Sequence, residues 1–140
     1  MNTSVMFSSK SDEWETPIDV FNRLNEEFDF DLDPCADENN HKCDRYFTKK
    51  QNGLIQNWGG SKVFCNPPYG KEISAWVRKC SDESKKENTV VVMLIPARTD
   101  TKWFHDYIYQ KAEVRFLKGR LKFGGSKNNA PFPSMVVVFK

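Results

Sequence analysis

FCNPPYGKEISAW, residues 64–76, joins two unlike patterns. A short apolar run, Val63-Phe64-Cys65, stops at an asparagine, two prolines, a tyrosine and a glycine. Ile73, Trp76, Val77 and Cys80 then recur at the spacing of one helix face, so the stretch reads as strand, loop, helix. Downstream, Thr89 to Ile95 is nearly all apolar, as a strand covered on both faces should be. Trp103, Phe104, Tyr107 and Ile108 predict a further helix, capped by Thr99 or Asp100. Val114, Phe116 and Leu117 predict a strand and Met135 to Phe139 a closing one. Their connection is too short for a full crossover helix, so the two should be antiparallel.

Upstream, Thr16-Pro17-Ile18-Asp19 has the form of a helix start, with Thr16 as cap, Pro17 at the first helical position and Asp19 as a capping-box carboxylate. Val20, Phe21, Leu24 and Phe28 give that helix one apolar face. Phe28, Phe30 and Leu32 alternate with polar residues towards Asp33-Pro34, which predicts a short strand. Residues 35–60 have weak periodicity and read as loops with short strands. Strands alternating with helices predict an α/β fold, a mostly parallel sheet with helices on both faces and an antiparallel last strand. We expect residues 1–12 to form a flexible N-terminal arm and residues 13–140 a single domain.

Composition bounds the rest. With 140 residues, 29% charged and 39% hydrophobic, the chain has the balance of a globular protein. The longest apolar run, Val90 to Ile95, falls far short of the roughly 20 residues that span a bilayer. The start of the chain lacks the apolar core of a secretory signal, so a cytoplasmic location is expected. Cys35, Cys43, Cys65 and Cys80 are then expected as reduced thiols. Cys35, His41 and Cys43 lie close together, but their spacing is not that of paired zinc ligands, and no metal site is expected. The net charge of +2 conceals an acidic first third and a basic segment from Lys111 to Lys127, which suits a local anionic partner.

Ligands of open α/β sheets sit beyond the carboxyl ends of the strands. Three marked segments fall at such ends: Asp33-Pro34-Cys35-Ala36, Asn66-Pro67-Pro68-Tyr69 and Pro96-Ala97-Arg98. The second suits a planar aromatic amine such as the exocyclic amine of adenine, whose lone pair is delocalised into the ring. Hydrogen bonds accepted from its two N–H groups favour a tetrahedral nitrogen that can attack. The Asn66 side-chain oxygen is one acceptor and the Pro67 carbonyl a second, because Pro68 holds Pro67 extended and neither proline adds a competing N–H. Tyr69 offers a ring on which a base can stack, and Gly70 lets the chain turn closely.

Asn-Pro-Pro-Tyr after a strand resembles the catalytic motif of S-adenosylmethionine-dependent amino-methyltransferases. Together with Trp14-Glu15-Thr16-Pro17, FDLDPCA (Phe30 to Ala36), LIPARTDTKWFH (Leu94 to His105), RLKFGG and APFPSMVVVF, it resembles the small phage-type DNA N-6-adenine methyltransferase family related to Dam, over nearly all of Trp14 to Phe139. The resemblance implies a Rossmann-like methyltransferase sheet, with S-adenosylmethionine across the ends of its first and fourth strands. It also implies a cofactor site of Trp14, Thr16, Pro17, Asp33, Pro34, Cys35, Ala36 and Asn66, and catalysis by Asn66, Pro67, Pro68 and Tyr69. Asp37-Glu38-Asn39-Asn40 stand where the wider superfamily has a glycine-rich loop, and Asp37, Glu38 and Asp44 are all candidates for a ribose-binding acid. The implied substrate is DNA, held at its phosphates by Arg98, Lys118, Arg120, Lys122 and Lys127, with the adenine flipped into the site. His105, beside Trp103 and Phe104, reads as structural. Sequence choice would come from loops, from a homodimer or from a specificity partner, in the cytoplasm of a bacterium or phage-infected cell. The same chemistry on RNA adenine or a protein glutamine amide, and a catalytically silent nucleic-acid-binding module, are the competing readings.

Overall fold

Phe64 and Cys65, adjacent in one strand, point to opposite faces of the sheet and meet different layers. Phe64 packs against Phe21 (centroids 5.2 Å apart) and Phe30 (5.3 Å). Cys65 meets Cys80 on the other side. Phe21 lies on α1 (Ile18–Phe28) and Cys80 on α2 (Ile73–Ser84), so helices cover both faces of β1 (Lys62–Cys65). The computed structural model describes residues 14–140, and the expected arm of residues 1–12 lies outside them.

β2 (Val90–Pro96), β3 (Glu113–Phe116) and β4 (Ser134–Phe139) complete the sheet, in the order β1-β2-β4-β3. β1 pairs with β2 in parallel, from Lys62 opposite Val90 to Cys65 opposite Met93. β4 pairs antiparallel with both β2 and β3. The expected reversal of the last strand is therefore present, but the mostly parallel sheet is not: its pairing is mostly antiparallel. The reason is insertion. β4 enters between β2 and β3, so one reversed strand makes two antiparallel ladders. Its six residues are all buried, as are Val91 to Pro96 of β2, and this explains why both read as unbroken apolar runs.

Other expectations shift locally. α1 forms, but Thr16 does not cap it, and Pro17 stands at the N-cap with no side-chain hydrogen bond. Phe28 to Leu32 make no ladder. The segment runs beside β1 through the Asp31 and Leu32 N–H groups on the Lys62 carbonyl and a parallel bridge of Leu32 with Val63. The helix expected around Trp103 is a π-helix, Phe104–Ile108, with the Tyr109 N–H on the Phe104 carbonyl at 2.8 Å. Neither Thr99 nor Asp100 caps it as expected: its N-cap is Trp103, with no side-chain cap, and the Thr101 hydroxyl accepts the Phe104 N–H at 3.3 Å. His105 binds the Thr99 carbonyl through Nε2 at 2.8 Å. Among the described residues no helix is long and apolar enough to cross a membrane.

Glu83, at the end of α2, ties the sheet's lower loop to the helix. It is 5% exposed, accepts the Trp58 N–H at 2.7 Å and pairs with Lys86 at 2.8 Å and Lys79 at 3.4 Å. Burial raises its carboxyl pKa, but the Lys86 and Trp58 hydrogen bonds and the two lysine charges outweigh burial and hold it below the ordinary 4.5. A depressed carboxyl contributes stability that is fully present above its unfolded-state pKa and lost as pH falls through its folded value. Glu83→Gln is therefore expected to cost about 1–3 kcal/mol at pH 7 in urea unfolding. The gap from wild type should shrink as pH drops below the ordinary glutamate range. A gap that stays constant from pH 7 to pH 3 would refute this role.

Candidate active site

The strand ends meet at a cleft of about 1140 Å³. Its lining includes Trp14, Thr16, Asp33, Pro34, Cys35, Ala36, Asn66, Pro67 and Pro68, and so joins the N-terminal segment to both motifs named from the sequence. Pro17 is not in the lining. Of the three acids left open, Asp37 and Glu38 line the cleft and Asp44 does not.

Asp33 builds its own loop. Its Oδ1 accepts the Cys35 N–H at 3.2 Å, and its Oδ2 accepts the Lys42 N–H at 2.9 Å. It is 6% exposed, and burial lifts its carboxyl above the ordinary 3.8 against the pull of those two N–H groups. This carboxylate, with the backbone bonds of Asp33 and Ala36 to Arg45 and Phe47, folds residues 33–42 into a shelf along the cleft. Behind the shelf, Cys35 Sγ lies 3.6 Å from Cys65 Sγ, and all four cysteines are free thiols. His41 stacks on Tyr46 with centroids 3.9 Å apart, and its Nδ1 bonds the Cys43 carbonyl.

Asn66 follows directly on β1. Its Nδ2 donates to the Trp14 carbonyl and, at 2.8 Å, to Thr16 Oγ1. Its Oδ1 faces the Tyr69 hydroxyl at 2.8 Å. That hydroxyl also lies 3.0 Å from the Leu94 carbonyl, at a level where β1 has already ended. The Pro67 carbonyl accepts no hydrogen bond from a described residue. An amide oxygen has two lone pairs, so Asn66 keeps one acceptor position beyond the Tyr69 contact. Two acceptors, Asn66 Oδ1 and the Pro67 carbonyl, are thus presented side by side in the chain.

Tyr69 differs from its expected open face. It is 4% exposed, with Phe132 and Phe123 edge-on to its ring at 5.7 and 6.3 Å. Trp14 packs edge-on against the same two rings at 5.2 and 5.4 Å. The cover comes from residues 121–132, which fold back through the Ala130 N–H on the Leu121 carbonyl (2.7 Å) and the Gly124 N–H on the Glu15 carbonyl (2.9 Å).

The basic residues separate into two groups. Arg115 is held by Glu27 and Glu113, and Lys111 by the Asp106 carbonyl. Arg98, Lys118, Arg120, Lys122 and Lys127 are exposed, line no part of the cleft and form no ion pair with a described residue.

Sequence reasoning missed one wall of the cleft: Lys42, Asn52, Gly53, Leu54, Glu72 and Trp76. The clue was Trp58. Fully buried, it donates its indole N–H to the Gly53 carbonyl at 3.0 Å and stacks near Trp76. Gly53 leaves no room for a side chain, since a Cβ there would lie 2.3 Å from the Pro34 carbonyl oxygen. Backbone meets backbone, so Gly53→Ala must push the Asp33-to-Ala36 shelf or its own turn away. A loss of about 1–3 kcal/mol is expected in urea unfolding. An alanine variant as stable as wild type would show that the contact yields freely.

Residues 3–140 match the sequence model of the family described as DNA N-6-adenine-methyltransferase (Dam). The chain is 33% identical over 148 residues to a protein of Haemophilus phage HP1 (strain HP1c1) named DNA N-6-adenine-methyltransferase, an alignment covering 100% of this chain and 85% of that one. It is also 33% identical over 112 residues to a protein of the same name from Escherichia phage T1, covering 79% of this chain and 46% of that protein, so it spans about half the length of the T1 relative.

Proposed function

The chain belongs to the DNA N-6-adenine-methyltransferase (Dam) family, and on that premise we propose that it methylates the exocyclic N6 of adenine in DNA at the Asn66-to-Tyr69 loop, with S-adenosylmethionine in the adjoining cleft. The observation that carries this reading is the fixed Asn66 amide: both its donors face the N-terminal segment, and its oxygen keeps an acceptor position beside the Pro67 carbonyl, which no described residue bonds. Two acceptors on one amine bind its N–H groups and turn its lone pair out of conjugation, so positioning and polarisation do the chemical work.

The cleft suits the cofactor. It mixes an indole (Trp14), buried backbone and carboxylates, and its Trp76 N–H is buried without a partner among the described residues. Trp14 would pack on the cofactor's adenine or methionine part, the Asp33-Pro34-Cys35-Ala36 shelf would hold its polar end, and Asp37 or Glu38 would take the ribose hydroxyls. When bound, S-adenosylmethionine supplies the methyl group. The sheet supports the same assignment: a Leu32 segment beside β1 and a reversed strand between β2 and β3 suit a Rossmann-like methyltransferase.

Adenine in a stacked duplex is out of reach of a recessed loop, so the base must flip. Arg98, Lys118, Arg120, Lys122 and Lys127, which pair with no acid among the described residues, carry charge for the phosphates, and binding through them weakens with salt. Acting on DNA places the enzyme in the cytoplasm of a bacterium or infected cell. Incubation with labelled cofactor and unmethylated DNA, RNA or protein, followed by product analysis, tests the substrate. N-6-methyladenine in DNA is the expected product. Label in RNA or in glutamine alone would move the assignment to another amine, and no label in any acceptor would overturn it.

A further inference from the structure

The end of β1 leaves Asn66 with a choice that its own chemistry does not settle. An amide has an acceptor end and a donor end of nearly equal size, and rotation about its last torsion exchanges them. Presented oxygen-first, it accepts from a substrate amine. Presented nitrogen-first, it sets two N–H donors against the amine's own donors and repels it. The surroundings settle the orientation. The Trp14 carbonyl can only accept, so only the Asn66 nitrogen can face it. Thr16 Oγ1 takes the second contact at 2.8 Å, and the Tyr69 hydroxyl meets the oxygen on the other side.

Thr16 is 5% exposed, so water has little room to replace its oxygen. The segment that carries these acceptors is tied on both sides: the Glu15 carbonyl accepts the Gly124 N–H, and the Pro17 carbonyl accepts the Phe21 N–H at 3.1 Å. A threonine directly before a proline at a helix start would ordinarily spend its hydroxyl on the helix N-terminus. Here α1 has no side-chain cap, and the hydroxyl reaches across 50 residues to Asn66 instead.

We propose that Thr16 is a positioning residue for methyl transfer, holding the Asn66 amide oxygen-first through its side-chain oxygen together with the Trp14 carbonyl. The inference rests on the proposed adenine chemistry at Asn66, but the contact itself does not depend on it. Thr16→Val keeps the shape and removes the acceptor, and Thr16→Ser keeps the acceptor. Thr16→Val is expected to lower kcat about ten- to a hundredfold, the scale of a misplaced reacting group, while the Kd for S-adenosylmethionine shifts less than about threefold. Thr16→Ser should recover kcat to within about threefold of wild type. An unchanged kcat in Thr16→Val, or a loss lying wholly in cofactor affinity, overturns the proposal.

Side-chain amide exchange measured by NMR gives a readout free of activity, with the Asn66 signal assigned by its absence in Asn66→Ala. Slow exchange in wild type, faster in Thr16→Val and slow again in Thr16→Ser, supports the contact. Fast exchange in wild type overturns it. If wild type methylates no DNA while the exchange pattern holds, the adenine assignment has failed and the Thr16 contact has not.

Discussion

Asn66→Ala is expected to lower methyl transfer to DNA by about 10²–10³-fold, the usual loss when one preorganised polar group at a reacting centre is removed. The argument is geometric. Asn66 Oδ1 is the side-chain acceptor beside the Pro67 carbonyl, and the variant leaves the amine with one partner instead of two. The loss should appear in kcat, because polarising the amine matters most as its nitrogen becomes tetrahedral. Some weakening of cofactor binding is also expected, since the variant strands the Trp14 carbonyl and Thr16 hydroxyl that Asn66 now satisfies. Single-turnover transfer at saturating cofactor separates the two effects. More than a tenth of wild-type transfer in Asn66→Ala would mean that Asn66 is not the acceptor that matters.

Asp33→Ala is expected to raise the Kd for S-adenosylmethionine by about 10–100-fold. Its carboxylate holds the Cys35 and Lys42 N–H groups; a hydrogen bond to a charged group contributes about 1.5–3 kcal/mol, and the worth of about one such bond passed on to the cofactor gives this range, since 1.4 kcal/mol is tenfold. Without it the loop of residues 33–42 loses two of its anchors and keeps its backbone bonds to Arg45 and Phe47, so the shelf along the cleft loosens. Asp33→Asn should fall between, because an amide can accept from Cys35 but turns an NH₂ towards the Lys42 N–H. Calorimetric titration with the cofactor tests the ordering. Wild-type affinity in Asp33→Ala would show that the shelf stands without its carboxylate.

Much of this architecture was legible where burial and period agree. Phe64 and Cys65, Ile73 to Cys80, Val91 to Ile95 and Met135 to Phe139 read as their elements because each presents one unbroken apolar face or a fully buried run. The strand order was not legible, because which strand enters which gap depends on contacts between residues far apart in the chain, such as Val92 with Val138. Residues 35–60 stayed opaque for another reason. They are shaped by single polar contacts, from Asp33, Asp37 and Asn52 side chains to nearby N–H groups, and by one buried indole, Trp58. Such contacts leave no periodic trace.

At the site, Trp14, Thr16, Asp33 to Ala36 and Asn66 to Pro68 share one cleft while Pro17 and Tyr69 do not line it, and the uses of two side chains did not follow from their types. Thr16 beside Pro17 looks like a cap and serves Asn66, because the end of β1 brings the amide within 2.8 Å of its hydroxyl, while the helix has no side-chain cap. Tyr69 looks like an open ring and lies under Phe123 and Phe132, which are more than 50 residues away in the chain.

The place of β4 bears on how the protein is made. A ribosome delivers β1 and β2 early, and they can pair at once. The far side of β2 then waits, a bare row of N–H and C=O groups flanked by valines and isoleucine, until Ser134–Phe139 has emerged to fill the gap. β3, made in between, has no partner in the sheet before that moment. The nascent chain therefore carries an open apolar edge for some 40 residues of synthesis, the kind of edge that recruits chaperones or a neighbouring copy.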